Sequence, residues 1–495
     1  MAAPIPLPVL TTRPTRHPGA DTPKHKCGVF AVWGHPDPVH LAYLGLYAQQ
    51  HRGQESAGIA VTDGHALHAH LGMGLVPEIF AGTELASLKA RAPRGAIAHN
   101  RYSTAGGSLA CNVQPLVETY VAGQIGVAHN GNLINADAHR ARFSAAGHLF
   151  HTTSDTEVII HLLASPEQQR TRDPVAATLR RLQGAYSLCM LFPDRIECAR
   201  DPWGWRPLVL GEMPDTAPVV ASETVALDVV GARFVREIEP GEILTISDAG
   251  VSSRRFAPRS HRLAKCVFEH VYFASPASTI FGQNVQLVRE ALGAQLAKEA
   301  PVDADYVMPM PDSGRSAANG YARVSNIPYR EGIVPNRYVG RTFIKPTQDQ
   351  RRAAVRLKLN VIGSIVAGKR IIVVDDSIVR GTTTREKMQQ LREAGAKEIH
   401  LRISCPPIQH PCHFGVDFAS REQLIASGKS VEEIRRYLGV DSLHYLSLEG
   451  LLACVNGPSD DWCTACYSGD YRLDPAEPTT SDVFEDQLEI FEPAT

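Results

Sequence analysis

Two fold classes share this chain: an α+β domain comes first, and an α/β domain with a doubly wound parallel sheet follows. Three observations predict that order. From Cys27 to about Ile246 the sequence runs in short apolar segments of strand length, separated by polar turns and broken by two helical stretches. From about His261 the rhythm becomes helix, strand, helix, strand, which is the pattern of a parallel sheet wrapped by helices. The stretch between them, Ser252 to Arg262, is polar and basic with little periodicity, so the division falls into 27–258 and 259–473.

In the first half, CGVFAVW, SAGIAVT, GAIAHN, QIGVAHN and AYSLCMLF are compact apolar runs and predict strands. Pro38 to Gln50 and Thr156 to Ala164 have helical length and spacing. Two sheets sandwiched with helices accommodate both. In the second half VQLVREALGAQLAKE predicts a helix, ADYVMPM a strand and RIIVVDD a buried strand. TTREKMQQLREAG predicts a helix that leads into the strand KEIHLRIS. No internal repeat is visible.

Composition narrows the functions open to the chain. Of 495 residues 44% are hydrophobic and 21% charged, enough apolar matter for substantial cores. A formal net charge of -2 gives no general pull toward nucleic acid or an anionic membrane, and no nucleic-acid-binding motif is recognisable. No apolar stretch reaches the roughly 20 residues that span a bilayer. Ten cysteines are too sparse for a disulfide scaffold and fit a reduced, cytoplasmic setting. Residues 1–26 hold six prolines, four Lys/Arg and one acid, with no apolar core. That is a disordered leader rather than a secretory signal. A short organellar transit peptide suits them less, since serine is absent. Residues 474–495 carry seven Asp/Glu and no Lys/Arg, so this tail is expected to hang free or pack weakly.

The densest chemistry lies in RIIVVDDSIVRGTTT. A buried strand ends in Asp375 and Asp376, and a loop with Ser377, Arg380, Gly381, Thr382 and Thr383 opens a helix. Backbone N–H groups at a helix N-terminus, helped by hydroxyls, cradle phosphate, and Gly381 permits an unusual turn. Adjacent carboxylates grip ribose hydroxyls or a magnesium shell. A plain acidic strand-to-helix turn has the same outline. Neither Walker A nor G-x-G-x-x-G is present. Cys27 stands between the leader and an apolar strand. Exposed by cleavage, it would carry its own α-amine, with an ordinary pKa of ~8, as base for its thiol. By itself such a cysteine also reads as buried packing.

Several strings match known families. VVDDSIVRGTTT resembles the phosphoribosyl pyrophosphate (PRPP) signature of type I phosphoribosyltransferases. HRGQESAGIA, AHNRYSTAG, VAHNGNLIN and TTSDTE, with Cys-Gly-Val-Phe, resemble the N-terminal-nucleophile glutamine amidotransferases. That resemblance implies a four-layer αββα domain. It makes Cys27 the nucleophile, Asn130 and Gly131 the oxyanion donors, and Arg101 and Asp155 the partners of the glutamine carboxylate and ammonium. The two halves in this order resemble the glutamine PRPP amidotransferase family, from Cys27 to about Tyr471. The family's reaction is the first committed step of purine synthesis: glutamine, PRPP and water give 5-phosphoribosylamine, glutamate and pyrophosphate. Ammonia passes between two active sites.

The same resemblance assigns further roles. In PDSGRSAANGYA, Ser313 and Gly314 face the pyrophosphate, and Ser313, Asp375 and Asp376 surround one magnesium per subunit. Ser377, Arg380, Gly381, Thr382 and Thr383 complete the PRPP site. Arg337 to Lys358 holds seven Lys/Arg and one acid, and the resemblance implies a lid over PRPP. Cys463 and Cys466 form a C-x-x-C pair, which alone reads as zinc or redox chemistry. With Cys266 and Cys412 they match the branch of the family that carries one [4Fe–4S] cluster per subunit. That branch removes its leader, though the leader here is longer and richer in proline. Cys111, Cys189, Cys198, Cys405 and Cys454 are expected to be small buried hydrophobes. Homodimers or homotetramers and inhibition by purine nucleotides complete what the resemblance implies. A hexose-phosphate amidotransferase would lack VVDDSIVRGTTT. A PRPP sensor without catalysis would have no use for Cys27, Arg101, Asn130 and Asp155.

Overall fold

The computed structural model describes residues 27–102, 109–336, 359–416 and 420–475. The leader, the proposed lid from Arg337 to Lys358 and the acidic tail beyond residue 475 lie outside the described residues.

The first half is built on two antiparallel sheets. One has seven strands in the order Arg233–Glu237, Val209–Glu212, Pro218–Ala221, Gly28–Trp33, Gly95–Arg101, Ser56–Thr62, Leu67–Met73. The other has six, in the order Gly250–Arg255, Glu242–Ser247, Arg195–Arg200, Gly184–Leu191, Gly123–Leu133, Leu116–Tyr120. Side chains alternate across each strand, so every central strand serves two cores. Val29, Ala31 and Trp33 meet Ala128, Cys189 and Cys198 between the sheets. Phe30 and Val32 turn the other way and pack with Leu41, Leu46 and Leu227 from helices Pro38–Ala48 and Thr224–Val230. Leu188 and Met190 pack with Ile159, Leu162 and Leu179 from helices Thr156–Ala164 and Pro174–Arg180. These contacts make four layers, αββα. Each fully buried Val, Leu, Ile or Phe contributes about 1.5–3 kcal/mol to that arrangement.

The second half holds a parallel sheet of Tyr306–Pro309, Arg370–Asp375, Glu398–Ile403 and Ser442–Tyr445, neighbours in that order. A parallel bridge from Val307 to Tyr329 adds the next stretch of chain on the far side. The strand order therefore reverses beside Tyr306–Pro309. With right-handed crossovers, helices Arg315–Ser325 and Thr382–Glu393 then lie on opposite faces, as a doubly wound sheet requires. The reversal leaves a crevice beyond the carboxyl ends of Tyr306–Pro309 and Arg370–Asp375.

Three details depart from the sequence reading. Helix Pro38–Ala48 stops two residues early, because the Gln49 side chain turns inward to donate to the carbonyls of Val29 and Gly45. The polar stretch after Ile246 contains the strand Gly250–Arg255, an exposed sheet edge that carries no apolar alternation. Cys189, Cys198 and Cys405 are buried as expected, but Cys111 is exposed and Cys454 is half-buried. Among the described residues no helix is long and apolar enough to cross a membrane.

Candidate active sites

Cys27 immediately precedes the strand Gly28–Trp33, at the centre of the seven-stranded sheet. It is 6% exposed, and its thiol donates to the Tyr102 carbonyl across 3.8 Å. Burial pushes the thiol pKa up against the pull of the Arg101 and Arg52 charges. A thiol held protonated in this way needs a base before it can attack.

The other residues singled out in this half gather around it. Arg101 closes the strand Gly95–Arg101, is 4% exposed and donates to the Asn112 carbonyl at 3.0 Å. Asp155 stands just before helix Thr156–Ala164 and accepts from the Leu133 N–H at 3.0 Å. Burial works to raise its pKa, but His129, 3.7 Å away, and the Leu133 N–H hold it below the usual carboxylate range. Both charges act on the Cys27 thiol. Asn130 donates to Ser222 Oγ at 3.5 Å, and the same oxygen accepts from the Val29 N–H at 3.0 Å. That shared hydroxyl ties Asn130 to the chain two residues beyond Cys27. Gly131 lies so close to the next strand that a Cβ would sit 1.9 Å from the Ala185 carbonyl oxygen. Residues 103–106 of AHNRYSTAG lie outside the described residues. Sequence reasoning gave no role to Arg52 or His129, although both sit inside the quoted strings.

In the second half the two singled-out loops are neighbours. The Met310 N–H donates to the Val374 carbonyl at 2.8 Å, and the Gly314 N–H donates to the Met310 carbonyl at 2.9 Å. This folds the Ser313 turn against the end of the Arg370–Asp375 strand, and a Cβ on Gly314 would lie 2.3 Å from the Val374 oxygen. Asp375 and Asp376 are buried, 7% and 5% exposed. The Asp376 N–H donates to the Asp375 carboxylate at 3.0 Å, and Ser377 Oγ donates to the Asp376 carboxylate at 2.7 Å. Burial and then the Asp376 charge push the Asp375 carboxyl well above its usual pKa, against the pull of Lys387. Gly381 caps helix Thr382–Glu393 in the left-handed region, at φ 78°. Thr382 and Thr383 open that helix, and Arg380 donates to Gln423 at 2.5 Å.

The four cysteines converge where the halves meet. Lys265–Cys266 pairs in parallel with Trp462–Cys463, which places Cys266 opposite Cys463. Cys463 belongs to the core of the first half and Cys266 and Cys466 to that of the second, with Cys412 packed against both. Burial first, and then the charges of Cys412, Cys463 and Cys266, push the Cys466 thiol well up. Among the described residues no three His, Cys, Asp or Glu side chains close tightly enough around one point to hold a single metal ion.

A buried cysteine beside an arginine and an aspartate in one half, and paired carboxylates at a switch point of the other, suit the class of glutamine-dependent transferases that act on an activated ribose phosphate. The comparisons agree. Residues 99–229 match the model of the glutamine amidotransferase domain. An amidophosphoribosyltransferase of Bacillus subtilis is 49% identical over 451 residues, covering 90% of this chain and 94% of that one. Another from Methanocaldococcus jannaschii is 46% identical over 465 residues, with 90% and 97% covered. The solved B. subtilis glutamine PRPP amidotransferase complexed with ADP and GMP is 46% identical, with a TM-score of 0.83 over 91% of this chain and 98% of that one. The chain belongs to the amidophosphoribosyltransferase family. It converts glutamine, PRPP and water to 5-phosphoribosylamine, glutamate and pyrophosphate, the first step of purine biosynthesis.

Proposed function

We propose that this reaction is divided between the two sites, residue by residue, as follows. Cys27, freed of residues 1–26, attacks the glutamine amide, and its own α-amine takes the thiol proton. Arg101 grips the glutamine α-carboxylate with a planar fork, and Asp155, held ionised by its neighbours, takes the α-ammonium. Asn130 Nδ2 and the Gly131 N–H stabilise the oxyanion. The glutaminase domain is 27–258 and the transferase domain 259–473, and ammonia passes between them without entering bulk water. There Ser313 and Gly314 meet the pyrophosphate, and Asp375 and Asp376 hold the ribose hydroxyls. Ser377, Arg380, Gly381, Thr382 and Thr383 hold the 5-phosphate. The buried Cys27 thiol, bonded to the Tyr102 carbonyl next to Arg101 and acted on by the charges of Arg101 and Asp155, is the observation that carries this reading.

The acidic pair also fits magnesium. Two adjacent buried carboxylates with a nearby hydroxyl are hard oxygen donors whose mutual repulsion a divalent cation would relieve. One ion, held by Asp375, Asp376 and Ser313 together with the substrate's phosphates, would supply charge stabilisation to the departing pyrophosphate. The four cysteines fit a [4Fe–4S] cluster better than zinc. A cuboidal cluster takes one thiolate at each of four separate irons, so it calls for converging thiols rather than a tight single-ion cage. Such a group would tie the two halves together, and the reaction moves no electrons that would call for it in any other capacity.

Arg337 to Lys358 serves as the lid over PRPP. Purine nucleotides inhibit, in keeping with the ADP and GMP bound by the B. subtilis relative. The protein works in the cytoplasm as a homodimer or homotetramer. Purified protein tests the whole: glutamate release must depend on PRPP, and phosphoribosylamine must be trapped in matching amount. Glutamate release with no trapped amine would refute the assignment of the second site.

A further inference from the structure

Four charged side chains lie buried where the two halves meet, and the reaction as described uses none of them. Arg52 comes from the HRGQESAG stretch, Glu223 precedes helix Thr224–Val230, and Arg206 follows Trp205. Glu269 belongs to the second half, three residues beyond Cys266, at the start of the turn Glu269–Phe273. Arg52, Glu223 and Glu269 are wholly buried, and Arg206 is 2% exposed.

Their bonds run in one direction. Arg52 Nη1 and Nη2 donate to the two Glu269 carboxylate oxygens at 3.0 and 2.8 Å, and Nη1 also pairs with Glu223. Glu269 Oε1 accepts in addition from Arg206 Nη1 at 2.9 Å, and Arg206 Nη2 donates to the Phe414 carbonyl at 2.9 Å. Arg52 Nε donates to the Cys27 carbonyl at 2.9 Å. A guanidinium is rigid and planar, so fixing both ends of its fork on one carboxylate fixes the direction of its Nε–H. That direction matters at Cys27, because ladder pairing of its strand begins only at Gly28. The turn bearing Glu269 is itself braced. Arg289 Nε donates to the His270 carbonyl at 2.7 Å and Nη2 to the Ala274 carbonyl at 2.9 Å.

We infer that Glu269, a residue of the transferase half, is a positioning residue for glutamine hydrolysis: through Arg52 it fixes the Cys27 main chain and so aims the thiol and α-amine at the glutamine amide. The inference rests on Cys27 being the nucleophile, as proposed above. It makes the glutaminase geometry depend on the docked transferase half.

Glu269→Gln in the full chain tests it, because the shape is kept and the charge that grips both ends of the Arg52 fork is lost, while the pair with Glu223 remains. Glutaminase kcat should fall on the order of tenfold or more, while KM for glutamine stays within about twofold, since Arg101 and Asp155 are untouched. Alkylation of Cys27 by a diazoketone analogue of glutamine should slow in step with kcat. Ammonia-dependent synthesis should stay within about twofold of the parent. Unchanged kcat, or equal loss of both reactions, overturns the inference. Should the variant not fold, Glu269→Asp, which draws the carboxylate back by one methylene, is read in the same way. If neither folds, the cluster is a folding element and the inference is equally overturned. Cys27→Ala, run alongside, separates the two ideas. Glutaminase surviving in that variant removes the nucleophile assignment itself, whereas its loss there with Glu269→Gln normal removes only the positioning role.

Discussion

At the end of the Arg370–Asp375 strand two buried carboxylates stand side by side, and the second accepts from the Ser377 hydroxyl. Asp376→Asn nearly keeps its shape and removes a charge. Ammonia-dependent synthesis should fall on the order of 10²-fold or more, since positioning and charge stabilisation are both impaired. Basal glutamine hydrolysis should persist, and its stimulation by PRPP should vanish. Unchanged PRPP kinetics would mean that the pair is only an acidic turn. At Cys27 the expectation concerns pH. The thiol is pushed up by burial, so it is protonated at neutral pH and depends on a base. An α-amine, with an ordinary pKa of ~8, accepts a proton only when neutral, so glutaminase kcat/KM should fall about tenfold per unit as pH drops below that value. A flat profile between about pH 6 and pH 8 would contradict an amine base.

Elements set the precision of both sites. Gly381 holds the left-handed cap of helix Thr382–Glu393, and a Cβ there would come within 2.7 Å of Ile425 Cδ1. Gly381→Ala should cost about 1–2 kcal/mol from the backbone alone and raise KM for PRPP, measured as a lower melting temperature and in ammonia-dependent kinetics. An unchanged KM would separate this loop from the phosphate. Elements differed in how plainly the sequence announced them. Ser56–Thr62, Thr156–Ala164 and Val285–Glu299 coincide with their apolar runs, because both faces of the strand, nearly all of the first helix and one stripe of the second are buried. Gly250–Arg255, exposed at an edge, and the short strands Val209–Glu212 and Pro218–Ala221 gave no periodic signal. Local motifs singled out Cys27, Asp155 and Asp376, because each stands in a string of a few consecutive residues. Glu223 and Glu269 could not be read that way, since their meaning lies in Arg52, 171 and 217 residues distant.

Over the whole molecule, the four cysteines join segments from residue 266 to residue 466 at the seam between the halves. Anaerobically purified protein should therefore be brown and contain iron and sulfide in equal amounts. Cys466→Ser should lose both and melt earlier. Colourless, fully active protein containing zinc would overturn the cluster. The central claim is that one chain carries two chemically separate sites, joined by the ammonia that passes between them. Cys27→Ala, assayed with glutamine and with added ammonia, tests it most directly. Phosphoribosylamine synthesis from glutamine should disappear and synthesis from ammonia should remain at about the parent rate. Retained synthesis from glutamine, or equal loss of both with the fold intact, would contradict the account.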